Sequence, residues 1–247
     1  MSNLKTIAFF GASGGCGLAA LKEALQAGHT CICLLRTPSK LADLGAASPN
    51  LIIREGNAHD TNAVASCLTV PGEHRLVDAI SFSIGAVMDP KTRKFTDPDV
   101  CKRGIASVLE AISMLRHEKQ LPGRPLIATV STTGISDQKR DYPIALHPMY
   151  HYMLATPHAD KRIMEERLRG SGERFVLVRP SLLMDGNKGN ATIKEGVEDV
   201  MSAVLESSAV GYAISRGAVG WWIYNRLLKM NEADVRHMEG KAISITW

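Results

Sequence analysis

The stretch Gly11-Ala-Ser-Gly-Gly-Cys-Gly17 spaces three glycines three apart, directly after an apolar, β-prone run from Leu4 to Phe10. After it, Leu18 to Ala27 carries apolar residues at helical spacing and stops at Gly28. Strand, tight turn and helix are therefore predicted in immediate succession. In such a unit the first glycine permits the turn, the second lets backbone approach an anion, and the third lets helix and strand pack closely. The helix start adds unpaired N–H groups and the positive end of its dipole. A bare glycine triplet also fits a plain turn, so the rest of the chain has to decide.

The same alternation runs on. Thr30 to Leu35 is a continuous apolar run, as in a strand buried on both faces. Further strands are expected at Asn50 to Arg54, Leu76 to Ser83, Pro125 to Ser131 and Glu173 to Arg179, the last ending at Pro180. Helices are expected at Asp60 to Thr69, Pro98 to His117 and about Pro157 to Arg169. This pattern predicts an α/β fold with a single doubly wound parallel sheet, of the Rossmann type. The 247 residues, 45 % hydrophobic and 22 % charged, suit one globular domain spanning 1–247. From Ser181 onward we expect a helix near Glu195 to Glu206, a short strand Gly211 to Ser215, a helix Gly217 to Lys229 and a last strand Ala242 to Trp247. This part, 181–247, is read as a small C-terminal substrate cap on the same core, with Trp221 and Trp222 as its filler.

The formal charge of +4 is small, and the Lys and Arg residues are scattered. Nucleic-acid binding is not expected, whereas a bound polyanion is compatible. No apolar run approaches the roughly 20 residues of a spanning helix, and no leader pattern opens the chain, so a cytoplasmic protein without membrane contact is expected. Cys16, Cys31, Cys33, Cys67 and Cys101 form no CxxC pair and are read as reduced thiols, with no metal site. A monomer and a homodimer are equally compatible.

The end of the second strand bears on which nucleotide the turn would hold. A site for NAD would place an acid there to accept from the ribose hydroxyls, but the sequence reads Leu34-Leu-Arg-Thr-Pro-Ser-Lys40. Arg36, 19 residues after Gly17, stands where that acid is expected. Its guanidinium can pair two ways with a 2′-phosphate, with Thr37 beside it and Lys40 one helical turn on. NADP(H) is therefore the expected cofactor, although Arg36 could also be a solvated strand-end charge. Gly11, Ser13, Gly14, Cys16 and Gly17 would face the pyrophosphate; Asn57 would meet the adenine edge or simply make a turn before the helix cap Asp60. Ser83-Ile84-Gly85 leaves the fourth strand through small residues, where backbone would pass close to the nicotinamide ribose.

The GASGGCG turn, the Leu-Leu-Arg-Thr strand end and the run Val178-Arg-Pro-Ser-Leu-Leu-Met-Asp185 together resemble the atypical short-chain dehydrogenase/reductases, in particular their NmrA-like group. The resemblance is specific over the first 130 residues or so and loose from 181 to 247. It implies an NADP(H)-binding oxidoreductase acting on a small organic carbonyl, imine or enone; some members only sense nucleotide, and others tailor biosynthetic intermediates. In the wider superfamily a serine after strand five works with a Tyr-x-x-x-Lys pair on the next helix. Ser131, or Thr132 or Thr133 beside it, matches the serine, and Lys161 matches the lysine that holds the nicotinamide ribose.

The tyrosine has no match. Four residues beyond Tyr142, Tyr150, Tyr152, Tyr212 and Tyr224 stand Leu146, Leu154, Thr156, Arg216 and Leu228, and Pro157 precedes Lys161 by four. Thr156 and Pro157 read as N-cap and first residue of the helix. Proton donors are then sought in His158, on one helical face with Lys161 and held neutral by that charge and the helix start, or in Tyr150 and Tyr152. Each has a plainer reading, as surface histidine or packing aromatic, and Lys161 could itself belong to a solvated charged face. Gly134 to Leu154, rich in His and Tyr, is read as a lid over an apolar ligand. Two functions stay open: reduction of substrate by NADPH, and a cyclase, isomerase or lyase step in which NADP(H) is retained. A nucleotide-sensing regulator is a third.

Overall fold

The computed structural model describes residues 4–87, 89, 91–92, 95–186 and 192–247. In chain order these form β1 (Thr6–Phe10), α1 (Gly15–Gln26), β2 (Thr30–Leu35), α2 (Ala42–Ala47), β3 (Leu51–Glu55), α3 (Thr61–Ser66), β4 (Ala79–Phe82), α4 (Val100–Glu118) and β5 (Leu126–Val130). They continue with α5 (Ala155–Arg169), β6 (Phe175–Pro180), β7 (Leu182–Met184), β8 (Lys194–Asp199), β9 (Val204–Leu205), β10 (Ala213–Ser215), α6 (Arg216–Ile223), α7 (Glu232–Val235) and β11 (Lys241–Thr246). The main sheet runs β3-β2-β1-β4-β5-β6-β11-β8-β9. Its strands are parallel from β3 through β11, and β8 and β9 add antiparallel pairs at the edge.

Every residue of β1, β4, β5 and β6 is buried, which is what a sheet covered on both faces demands. Side chains of β1 alternate between the two layers. Ile7 and Phe9 meet α1 and α6, whereas Ala8 and Phe10 meet α3, α4 and α5. Cys31 and Cys33 share the first of these layers, and all five cysteines are free and buried. Asp60 caps α3 by accepting from the N–H groups of Asn62 and Ala63. The start of α4 is capped from elsewhere: Asp160 of α5, fully buried, accepts from the N–H groups of Cys101 and Lys102 at 2.8 and 2.9 Å. Among the described residues no helix is long and apolar enough to cross a membrane.

The C-terminal part departs from the expected elements. The helix expected at Glu195 to Glu206 is instead β8, a turn and β9, because β8 pairs with β11 along its whole length. Its polarity misled: Glu198 points inward, where a buried arginine awaits it. β11 lies beside β6 in the main sheet, whereas β7 pairs with β10 as a separate two-stranded ribbon. α6 lies on α1 so closely that a Cβ on Gly220 would come within 2.6 Å of the Cys16 carbonyl oxygen. The two tryptophans of α6 divide: Trp222 is buried and donates to Glu195, while Trp221 is half exposed. At the other predicted boundary, α5 starts at Ala155 without a Thr156 side-chain cap, because a π-helical turn, Met149–Met153, leads straight into it.

Candidate active site

A cleft of about 560 Å³ opens at the carboxyl ends of the parallel strands. The glycine turn forms its floor, and the three glycines divide the work. Gly11 has φ +92°, and a Cβ there would lie 2.6 Å from the Ser83 carbonyl carbon. At Gly17 a Cβ would lie 2.5 Å from the Gly11 carbonyl oxygen, so this residue serves helix–strand packing rather than lining the cleft. Gly14 and, across the cleft, Gly85 have no atom within 4 Å of where a Cβ would stand. Backbone is bare at both, leaving room for a ligand to lie against it.

Ser13, Cys16, Arg36, Thr37, Lys40, Asn57, Ser83 and Ile84 also line this cleft. Arg36 and Lys40 are exposed at the end of β2. Asn57 spends its side-chain oxygen on the His59 N–H at 3.1 Å, the turn that sequence alone left open. Ser83 Oγ is buried without a partner among the described residues. Burial pushes the Cys16 thiol up to about 11, only partly offset by Arg216 and Lys161, which makes it a packing residue and not a nucleophile. Among the described residues four cations, Arg36, Lys40, Lys161 and Arg216, face the cleft against one acid, Asp97. A long, flat polyanion with phosphates at two positions fits such a donor set.

At the other end of the cleft, Ser131 and Lys161 come together beyond β5. Lys161 Nζ donates to the Val130 carbonyl at 2.7 Å, which aims the ammonium along the strand end. It is not part of a solvated face: its neighbours Asp160 and Glu165 are both buried. Ser131 Oγ donates to Glu165, and Arg179 of β6 grips Glu165 with two bonds of 3.0 and 2.6 Å. The same guanidinium donates to Glu198 at 2.6 Å, and Ser136 joins that carboxylate. Burial opposes the charge of Arg179, but the two carboxylates outweigh it and hold its pKa above the ordinary value.

The remaining acid–base candidates lie outside the cleft. Tyr152 is 78 % exposed, edge-on to His151, and does not line it. Pro157 lines the cleft, whereas His158 packs against Tyr150, their ring centroids 5.4 Å apart. Burial first, then Lys161 and Arg162, push the His158 imidazole down to about 4, and its Nε2 has no partner among the described residues. Such a shift favours the neutral ring, and the ring is packed against Tyr150 away from the cleft. Tyr150 is buried with its hydroxyl 2.9 Å from Thr133 Oγ1, and burial raises its pKa.

The segment Gly134 to Leu154 is packed down rather than arched over the cleft, and none of its residues lines it. His151, His147, Tyr142 and Tyr150 form a continuous stack, closest between the two tyrosines at 4.3 Å. Asp141 pins the segment by accepting from the Gly134 N–H at 2.7 Å and from Ser244 of β11 at 3.2 Å. Gly134 has φ +90°, and a Cβ there would meet the Tyr150 ring at 2.4 Å. The site residues not anticipated from sequence are Glu165, Arg179, Glu198 and Arg216. One signal existed: an arginine inside the apolar run Phe175 to Val178 and Pro180 needs buried acids to pair with it.

The family described as NAD(P)H-binding matches residues 11–227. The reductase pytE of Aspergillus terreus is 38 % identical, over 100 % of this chain and 99 % of its own. The oxidase pynE of Aspergillus niger is 33 % identical, over 91 % of this chain and 93 % of its own. Among solved structures, a short-chain dehydrogenase/reductase of Veillonella parvula in complex with NADP is similar with TM-score 0.67 and 15 % identity, covering 99 % of this chain and 95 % of that one. The anaerobillin reductase ChuY of Escherichia coli is similar with TM-score 0.66 and 15 % identity, covering 97 % and 96 %. At such identities these two structures speak for the fold.

Proposed function

Because the chain belongs to the NAD(P)H-binding family of Rossmann-fold oxidoreductases, we propose that it is an NADPH-dependent reductase of a small, largely apolar imine, enone or carbonyl compound. The nicotinamide supplies hydride when bound. The glycine turn would hold the pyrophosphate on the first N–H groups of α1, and Arg36 with Lys40 would hold a 2′-phosphate. Lys161, tied to the Val130 carbonyl, would hold the ribose. Ile84, Val87 and Leu183 give the cleft an apolar edge.

One observation carries the substrate class: among the described residues, none of the four expected proton donors, Ser131, Tyr150, Tyr152 and His158, is free to give up a proton at the reacting end. The Ser131 proton is committed to Glu165. Tyr150 is engaged with Thr133, His158 is a half-buried ring whose pKa is pushed down to about 4, and Tyr152 lies exposed outside the cleft. A protonated imine needs no acid as hydride arrives, and an enone reduced to its enolate can take its proton later from water. Either substrate makes the tyrosine dispensable; a simple ketone gains least from this site.

The test uses NADPH deuterated at nicotinamide C4 with a panel of cyclic imines, enones and ketones. Deuterium in the product, faster with imines or enones than with matched ketones, supports the reading; product without deuterium overturns it. A second reading has its own support in the Ser131–Glu165 pair, whose hydroxyl lone pairs are free to accept a proton. Under it the pair serves as base for an isomerisation or cyclisation with NADP(H) retained, and the product forms equally with NADP⁺ and NADPH.

A further inference from the structure

We propose that Arg216 is the cation that binds the pyrophosphate of the nucleotide, and that it is held ready for this by an ion pair with Asp185 which the pyrophosphate replaces. The proposal rests on the reading of the cleft as an NADP(H) site. Of the four cations that face the cleft among the described residues, three already have a station. Arg36 and Lys40 sit together at the end of β2, and Lys161 is tied to the Val130 carbonyl at the end of β5. Between these stations lies the glycine turn, which contributes backbone N–H groups and the Ser13 hydroxyl but no charge. Among the described residues Arg216 is the cation whose stem lies against it: a Cβ on Gly15, the first residue of α1, would lie 3.5 Å from Arg216 Cδ and 4.0 Å from its Nε.

The placement is rigid. Arg216 is the first residue of α6, whose start is fixed by Ser215 accepting from the Ala218 N–H at 3.0 Å. One turn on, Gly220 is pressed against Cys16, Ala19 and Ala20 of α1 with no space for a Cβ. The two helix starts therefore keep a set distance, and the arginine stem crosses the mouth of the turn. Its charge is felt there, since it opposes the burial-driven rise of the Cys16 pKa.

The present partner of Arg216 is a weak one. Its Nη1 lies 2.7 Å from Asp185 Oδ1, but Asp185 is 90 % exposed in its side chain and Arg216 38 %. A solvated pair of this kind contributes little. A pyrophosphate already seated on helix N–H groups offers the planar guanidinium two oxygens at once, with less water between. Exchange of Asp185 for the pyrophosphate is therefore downhill. Because Asp185 follows β7 and Arg216 follows β10, with Met184 and Ser215 in register, the exchange takes place at the end of the β7–β10 ribbon and links the ribbon to the bound nucleotide.

The experiment is a set of binding titrations of the full chain with NADPH, with 2′-phospho-ADP-ribose, which keeps the pyrophosphate, and with 2′-AMP, which lacks it. Arg216→Ala should weaken the first two by roughly ten- to a hundredfold, the range of a charge-assisted pair of bonds, and leave 2′-AMP unchanged. Arg216→Lys should fall between wild type and Arg216→Ala for both. Asp185→Asn should tighten NADPH up to about fivefold by removing the competing carboxylate. Unchanged NADPH affinity in Arg216→Ala, or an equal loss for 2′-AMP, overturns the assignment; unchanged or weaker binding by Asp185→Asn overturns the exchange. Should the wild-type chain bind no NADPH at all, the cofactor reading fails instead, and the two failures are told apart.

Discussion

Around the glycine turn the anion-holding groups are backbone N–H groups and cations in contact with water, whereas around Ser131 almost every polar group is buried and engaged with another. Arg36 and Lys40 stand exposed along the cleft. Ser131, Glu165, Arg179 and Glu198 are each less than a tenth exposed and form a chain of hydrogen bonds through the sheet's edge. The first end presents its donors to the solvent side of the cleft. The second is satisfied already, so it can orient a substrate but has little left to give it. That difference would let an NAD(P)H site stand beside a chain in which Pro157, and no tyrosine, precedes Lys161 by four residues: the two ends share few residues.

The largest effect should come from breaking the closed end. Arg179→Met leaves Glu165 and Glu198 facing each other without their cation, and should lower the unfolding free energy by about 3–5 kcal/mol in urea titration; a loss near zero would mean that the network holds nothing together. Gly17→Ala attacks the open end through its packing. The new Cβ would press on the Gly11 carbonyl and distort the turn, costing about 1–3 kcal/mol together with a measurable loss of NADPH affinity. Stability lost without any change in affinity would separate the turn from the nucleotide.

A subtler difference is written in pH. His158 has a folded pKa of about 4 against an ordinary 6.5, so the unfolded chain takes up its proton first. Its contribution to stability is whole above pH 6.5, declines as pH falls from there, and is fully lost below about 4. His158→Leu should therefore flatten the fall of Tm between pH 6.5 and 4, and an unchanged slope would refute the half-buried neutral ring. Smallest of all, Tyr152→Ala should alter stability by no more than about 0.5 kcal/mol, since the ring is exposed and its one ring partner is His151. A large loss of turnover in this variant would return Tyr152 to the chemistry and reverse our placement of it.

The alternation of strands and helices, the Rossmann order and the resemblance to the short-chain dehydrogenase/reductases were legible in the sequence because each depends on residues within one turn, one strand or one helix. Glycines spaced as at 11, 14 and 17 have few structural uses, and β1 and β5 announce their double burial in composition alone. The C-terminal third was less legible. Lys194 to Asp199 reads as helix until β11, some 45 residues later, is known to lie beside it. The same reason hid the closed end of the cleft: Glu165 looked like one more charge on a polar helix, and only β6 and β8, brought alongside, make it a partner of Arg179.

By itself, then, the sequence determined the parallel part of the sheet, the glycine turn, the cationic strand end at Arg36 and the absence of a tyrosine four residues before Lys161. The tertiary structure alone decided that Ser131 gives its proton to Glu165, that the aromatic segment packs down beside the cleft, and that Arg216 reaches the turn. The physical reason is range. Backbone conformation and strand burial follow from neighbours in the chain, whereas the partner of a buried charge is chosen by whichever distant element the fold carries to it, and local periodicity holds no record of that choice.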